Sequence, residues 1–359
     1  MSTHEATHCP AEDRLIFACL KQHFDSDDVS GVAEKFASVP IDWDVLGRIS
    51  TEHGIGALMY VNLGRCADAG IAVPASLLKQ LRLALFQSVA EHKRREPQLR
   101  RALELAHRLG QDAMLLKGAA LDAVVYAHPE YVLSLDIDIL IRSRHEDLPE
   151  ADAESLWDLN DSGPFEVSLG DHHDLDLDDL FPVDYPLLWR GARAIDVQGL
   201  SAWVMAPADM VVFACMNCCR KRFFHPRNLY GLRTLLETFK PVDWHAVCQT
   251  AHNHRCETVV FAALECLRCW LGVAVPKDLR SRLGVGVLRS GLIRWLVGTM
   301  SFATLATRTH LLRDRTMASQ LKERHKWQRS VLLPYACYTW RQVMRRLSWL
   351  MTGRPKVTG

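Results

Sequence analysis

No window of about twenty uninterrupted apolar residues occurs in this chain of 359 residues. Its most hydrophobic stretch, Leu292 to Ala306, is broken by Arg294 and too short to span a bilayer, so a soluble protein is expected. A secretory signal is lacking too: the N-terminus reads Met1-Ser2-Thr3-His4-Glu5 and is polar. The eleven cysteines, an odd number without such a signal, point to reduced thiols and a cytoplasmic location. Net charge is also nearly missing, with 43 basic against 42 acidic residues, so charge alone argues for neither nucleic acid nor membrane as partner. The Walker pattern of spaced glycines followed by Lys and Ser or Thr is absent, which excludes that kind of phosphate loop.

What the chain does have is an unusual apolar run. Met114-Leu115-Leu116-Lys117-Gly118-Ala119-Ala120-Leu121 is followed by Ser134-Leu135-Asp136-Ile137-Asp138-Ile139-Leu140-Ile141. Side chains alternate along a strand, so Asp136 and Asp138 are expected on one face, with Leu135, Ile137, Ile139 and Ile141 on the other. Two carboxylates about 7 Å apart repel each other, and burying them costs several kcal/mol unless a cation compensates. A divalent metal is the natural partner, since magnesium is usually held by one or two carboxylates together with water and substrate phosphate. Upstream, Met114 to Leu116 reads as a short buried strand and Lys117-Gly118 as the opening of a helix. A glycine there lets phosphate approach unpaired backbone N–H groups, and Lys117 adds a point charge.

The run LLKGAAL, then Tyr126, then DIDILI resembles the uncharacterised nucleotidyltransferase family of the polymerase-β-like superfamily. Flanking segments extend the likeness over roughly residues 14 to 275: Ile41-Asp42-Trp43 with His53-Gly54 upstream, and Val242-Asp243-Trp244 downstream. The resemblance implies an acid-bearing third strand, for which Asp176 in Asp174-Leu175-Asp176-Leu177-Asp178 is the candidate. Three departures stand out. Val132 occupies the place of an arginine four residues before the first aspartate, Leu135 that of a small polar residue, and Asp178 that of a histidine.

Helical spacing predicts a helix from Arg14 to an acidic stop at Phe24-Asp25-Ser26-Asp27-Asp28, a second begun by Asp42 as N-cap, and a resumption from Ala57 to Leu63. A long amphipathic helix follows over Leu77 to Leu109, with Leu81, Leu83, Leu85, Val89, Leu99, Leu103 and Leu105 on one side and Lys93, Arg94 and Arg95 on the other. Pro164 to Leu169 reads as a strand, and Ala194 to Val197 with Ala202 to Met205 as a closing hairpin at the sheet edge. Pro241-Val242-Asp243-Trp244 repeats the chemistry of Pro40-Ile41-Asp42-Trp43. The fold class is α+β: a small mixed sheet in a nucleotidyltransferase core at 111–206, an all-helical region before it at 1–110 and another after it at 207–350, with a tail at 351–359. A sugar-nucleotide transferase using an Asp-X-Asp motif would need a Rossmann-like βα series upstream, where this chain reads as helices.

The expected function is metal-dependent transfer of an NMP group from an NTP, ATP in the first instance, to a hydroxyl of a small-molecule or protein acceptor. Asp136, Asp138 and Asp176 would hold two Mg2+ ions, with Mn2+ as substitute, while Lys117 and Gly118 would bind phosphate. The alternative is a nucleotide-binding scaffold that keeps the fold without efficient transfer, motivated by Val132. Nucleic acid is not expected as a partner. Other motifs carry plainer readings. Cys215-x-x-Cys218 and Cys266-x-x-Cys269 have zinc-like spacing but lie in helical segments where cysteine packs as a small hydrophobe. His172 and His173 are adjacent, so on a strand they point apart. The basic and aromatic cluster Arg220-Lys221-Arg222-Phe223-Phe224-His225-Pro226-Arg227 at a helix end reads as a solvated loop, with contact to a triphosphate or a polyanionic acceptor as the alternative. The basic C-terminal segment, with Trp327, Trp340 and Trp349, offers helices clamped on the core or a peripheral contact with an anionic membrane.

Overall fold

Aspartate side chains cap several of the helices in this protein. A computed structural model describes residues 10–142, 165–169, 181, 183–220, 223 and 225–299. The first helix, α1 (Ala11–Cys19), buries Leu15, Ile16 and Cys19 and ends before the acidic run. That run is no simple stop. Asp25 accepts the N–H of Asp28 at 3.0 Å while Asp28 accepts that of Asp25 at 3.3 Å, a reciprocal cap that begins α2 (Ser26–Phe36). Turn-forming composition and helix-capping composition are the same residues, which is why the sequence alone reads the segment as an end.

Asp42 caps α3 (Trp43–Glu52) by accepting the N–H of Val45 at 3.0 Å, as its position predicts. A tight turn leads to α4 (Gly56–Asp68), and Pro74 precedes α5 (Ala75–Arg108), 34 residues long. Along α5 the buried positions include Leu81, Ser88, Arg95 and Ala102, seven residues apart. Arg95 therefore lies on the inward stripe and is only 6 % exposed, not on the solvent side with Lys93 and Arg94.

Gly110, at φ 67°, turns the chain into β1 (Asp112–Leu115), followed by α6 (Lys117–Val124), a 3-10 turn (Pro129–Tyr131) and β2 (Ile137–Arg142). After β3 (Phe165–Leu169) come α7 (Tyr185–Gly191) and the hairpin β4 (Arg193–Val197) and β5 (Leu200–Val204). The sheet order is β3-β2-β1-β5-β4, with β1 antiparallel to β2 and parallel to β5, and β2 parallel to β3. Only β4 of the hairpin lies at the edge; β5 pairs β1.

β2 departs from the expected two-faced strand. It starts at Ile137, one residue after Asp136, and is buried from Ile137 through Ile141, Leu140 included. Asp136 is exposed and Leu135 is 48 % exposed, so neither takes its expected place in the strand. The reason is position in the sheet: β2 is flanked by β1 and β3 and covered on both faces, and such strands read as continuous apolar runs.

The C-terminal helices are α8 (Pro207–Arg220), α9 (Pro226–Thr238), α10 (Trp244–Asn253), α11 (Glu257–Leu271), α12 (Leu279–Arg282) and α13 (Val287–Thr299). Asp243 caps α10 through the N–H of Ala246 at 3.0 Å. The likeness to α3 goes further than the cap. Each helix ends at a histidine, His53 or His254, then passes one left-handed residue, Gly54 at φ 67° or Arg255 at φ 50°, before the next helix begins. One continuous apolar core runs from Leu15 to Val297 through the sheet and both helical flanks. Tyr126 stacks on Tyr230 at 5.3 Å, tying α6 to α9, and a Cβ on Gly231 would meet Tyr126 Oη at 2.9 Å. Among the described residues, no helix is long and apolar enough to cross a membrane.

Candidate active site

The turn from β1 into α6 sets the site. Leu116 donates its N–H to the Asp138 carbonyl at 3.0 Å, so Lys117 emerges beside β2. Lys117 has a left-handed backbone, φ 43°, a conformation that costs a residue with a Cβ about 1–2 kcal/mol. Its Nζ meets Asp138 Oδ1 at 2.7 Å. Asp138 is 6 % exposed, and a carboxylate so buried needs a partner of opposite charge. At Gly118 a Cβ would lie 2.7 Å from Ser134 Oγ, so the helix start comes close to the loop before β2.

That loop, residues 133–136, is held from three directions. The N–H of Leu133 donates to the Gly54 carbonyl at 2.9 Å, from the turn between α3 and α4. Arg95 of α5 donates through Nη2 to the Asp136 carbonyl at 3.0 Å and through Nη1 to the Ser134 carbonyl at 3.3 Å. Arg227, in the first turn of α9, donates through Nη1 to the Leu133 carbonyl at 2.6 Å. Both helical flanks thus hold the segment that carries Asp136.

Lys117, Gly118, Ser134, Asp136 and Asp138 line a cavity of about 250 Å3. Arg227, Asn228 and Asn217 face it from α8 and α9, with apolar wall from Met205, Met210, Phe213 and Leu232. Asp122 of α6 also lines it; burial pushes its carboxyl up to about 6, against the pull of Arg95, whose Nη1 lies 3.3 Å away. Behind the loop, His53 meets His225 edge to face at 4.8 Å. Burial, and then the charge of Arg227, push the His53 imidazole down to about 4, so it is neutral at pH 7.

Four of the five sequence-predicted site residues, Asp136, Asp138, Lys117 and Gly118, converge on this cavity. Asp176 lies outside the described residues, as do His172, His173 and the basic segment from Arg308 to Arg346. Sequence reading set Arg95 on the solvent side of its helix and gave the cluster that holds Arg227 two readings, a solvated loop or a contact with a triphosphate or polyanionic acceptor. The seven-residue stripe through Leu81 and Ser88 was the available signal for Arg95; for Arg227 there was only its basic neighbourhood. Of the paired cysteines, Cys215 and Cys218 are buried in α8, where burial raises both thiols, and Cys266 is buried in α11, while Cys269 is exposed. Among the described residues no group of three or more His, Cys, Asp or Glu side chains is arranged to hold a metal.

A mixed sheet whose Lys-Gly turn and Asp-Ile-Asp run open on one cavity defines a nucleotidyltransferase-type core. The chain belongs to the uncharacterised nucleotidyltransferase family, whose profile matches residues 39–272, well over half its length. Membership carries a general nucleotidyl-transfer role. No curated protein and no solved structure matches the chain.

Proposed function

We propose that this protein transfers a nucleoside monophosphate from a nucleoside triphosphate to an acceptor hydroxyl with the help of a divalent cation. The observation that carries the reading is the shared cavity: two carboxylates, Asp136 and Asp138, opposite a Lys-Gly helix start. The donor set fits a hard cation such as magnesium, since one carboxylate is buried and charge-compensated and the other is open to the cavity. When bound, such an ion supplies charge neutralisation for the triphosphate and for the departing pyrophosphate.

The chain's own groups divide the remaining work. Lys117 compensates Asp138 before substrate arrives, and its Nζ offers a cation at the cavity for phosphate oxygens. The first N–H groups of α6, bare of side chain at Gly118, add donors to phosphate. The acceptor oxygen forms a bond to the α-phosphorus, the bond to the bridging oxygen breaks, and pyrophosphate leaves. The acceptor's proton goes to a carboxylate, for which Asp176 is our candidate from the family pattern. ATP is the first nucleotide to test, and the apolar wall suits either a base or an apolar acceptor.

A second reading, nucleotide binding without turnover, is favoured by one observation: Lys117 already closes on Asp138. Pyrophosphate release and calorimetry with ATP, CTP, GTP and UTP, with and without magnesium, separate the two. Release that depends on magnesium and drops at least about a hundredfold in Asp138→Asn supports transfer; magnesium-dependent binding with no release supports the scaffold.

A further inference from the structure

Of the basic side chains around the cavity, Arg227 is the one that forms no ion pair among the described residues, and Asp136 is the acid that forms none. Lys117 is paired with Asp138, and Asp122 with Arg95. Among the described residues the Arg227 guanidinium makes one hydrogen bond, to the carbonyl of Leu133, a neutral acceptor, and no ion pair. A guanidinium carries five N–H donors, so one bond at 2.6 Å leaves most of the fork for a ligand. Its positive field already reaches the groups around it, favouring neutral His53 and charged Asp122.

Its anchorage also fixes where that charge sits. Leu133 is three residues before Asp136, a span of at most about 11 Å of chain. Ser134, next along, is the residue packed on Gly118. Arg227 is therefore anchored on the same short loop as Asp136 and faces the same cavity as Lys117. Apolar surface from Phe213 and Leu232 limits competing water, which strengthens a charge-assisted bond.

We propose that Arg227 is a substrate-binding residue that grips the triphosphate of the nucleotide, a charge lent to the core by the C-terminal helical flank. This rests on the nucleotidyl-transfer reading above and adds the residue that discriminates triphosphate. The geometry is that of a fork held at one prong: Leu133 orients the plane, and the remaining N–H groups meet phosphate oxygens.

Calorimetry on the full chain with magnesium tripolyphosphate and with each magnesium nucleoside triphosphate tests it. Arg227→Gln should weaken both kinds of ligand by roughly tenfold or more, the worth of a hydrogen bond to a charged group, while melting at the temperature of the parent. Arg227→Lys should recover part of the affinity. Unchanged tripolyphosphate binding in Arg227→Gln overturns the inference and leaves the transfer reading standing. So does a loss in both variants accompanied by lowered melting, because the residue would then only hold the loop. If the parent chain binds no triphosphate at all, the inference and the transfer reading both fall.

Discussion

Asp13 shows at the residue scale how this fold tolerates acids away from its site. It is 3 % exposed, its Oδ2 has no hydrogen-bond partner, and burial raises its carboxyl to about 7, with Glu12 adding to the shift. A carboxyl raised in the folded state keeps its proton there while the unfolded chain loses it from about pH 4. Its contribution is therefore intact below pH 4 and is lost as pH rises to 7. His53 works in the opposite sense: lowered to about 4, it favours the folded state more as pH rises from 4 to 6.5. Asp13→Asn isolates the first effect. The variant should be more stable than the parent at pH 8 by on the order of 2–4 kcal/mol, and the gap should close by pH 4. Urea melts across this range check it, and a gap independent of pH refutes the assignment.

At the scale of elements, the recurring helix–turn–helix offers a matched comparison. Gly54 and Arg255 occupy the same left-handed position, but their surroundings differ. A Cβ at Gly54 would stand 3.1 Å from the Leu133 carbonyl, whereas Arg255 is exposed. Gly54→Ala should cost about 1–3 kcal/mol from backbone strain and crowding. Arg255→Gly should be neutral or up to about 1 kcal/mol more stable. Equal thermal shifts in the two variants would show that the turns are not equivalent. Arg95 is the other element-scale device, a guanidinium on α5 bound to two carbonyls of the acid-bearing loop. As a positioning residue it should act on turnover more than on binding: Arg95→Gln should lower kcat by about tenfold or more with a smaller change in the KM for magnesium nucleotide. A change confined to KM would contradict that role.

For the whole molecule, what was legible in the sequence is what is local. The Lys-Gly turn, the acid pair, and the caps at Asp42 and Asp243 each declare themselves within a few residues. The helices read from apolar spacing fell in place for the same reason. The hold of Arg95 and Arg227 on the loop was not legible, since their partners lie 39 and 94 positions away in sequence and no short pattern encodes such a meeting; only the basic cluster around Arg227 declared itself, with a triphosphate contact as one of its two readings. The two-sided burial of β2 depends on which strands flank it, which periodicity cannot tell.

Those long-range ties also bear on the core by itself. Residues 111–206 alone would lose the partners of Leu133, Ser134 and Asp136, and the apolar cover from α5, α8 and α9. That fragment should show no cooperative thermal transition by circular dichroism. A sharp melt would show that the flanks are dispensable for folding.

The three-way tie on residues 133–136 has a mechanical corollary. A molecule clasped in the cavity would act as a fastener, cinching together stretches from opposite ends of the chain. Its footprint in a limited digest would then appear at two places at once, near the start of α9, which touches the guest, and near the α3–α4 bend, which reaches it only through Leu133.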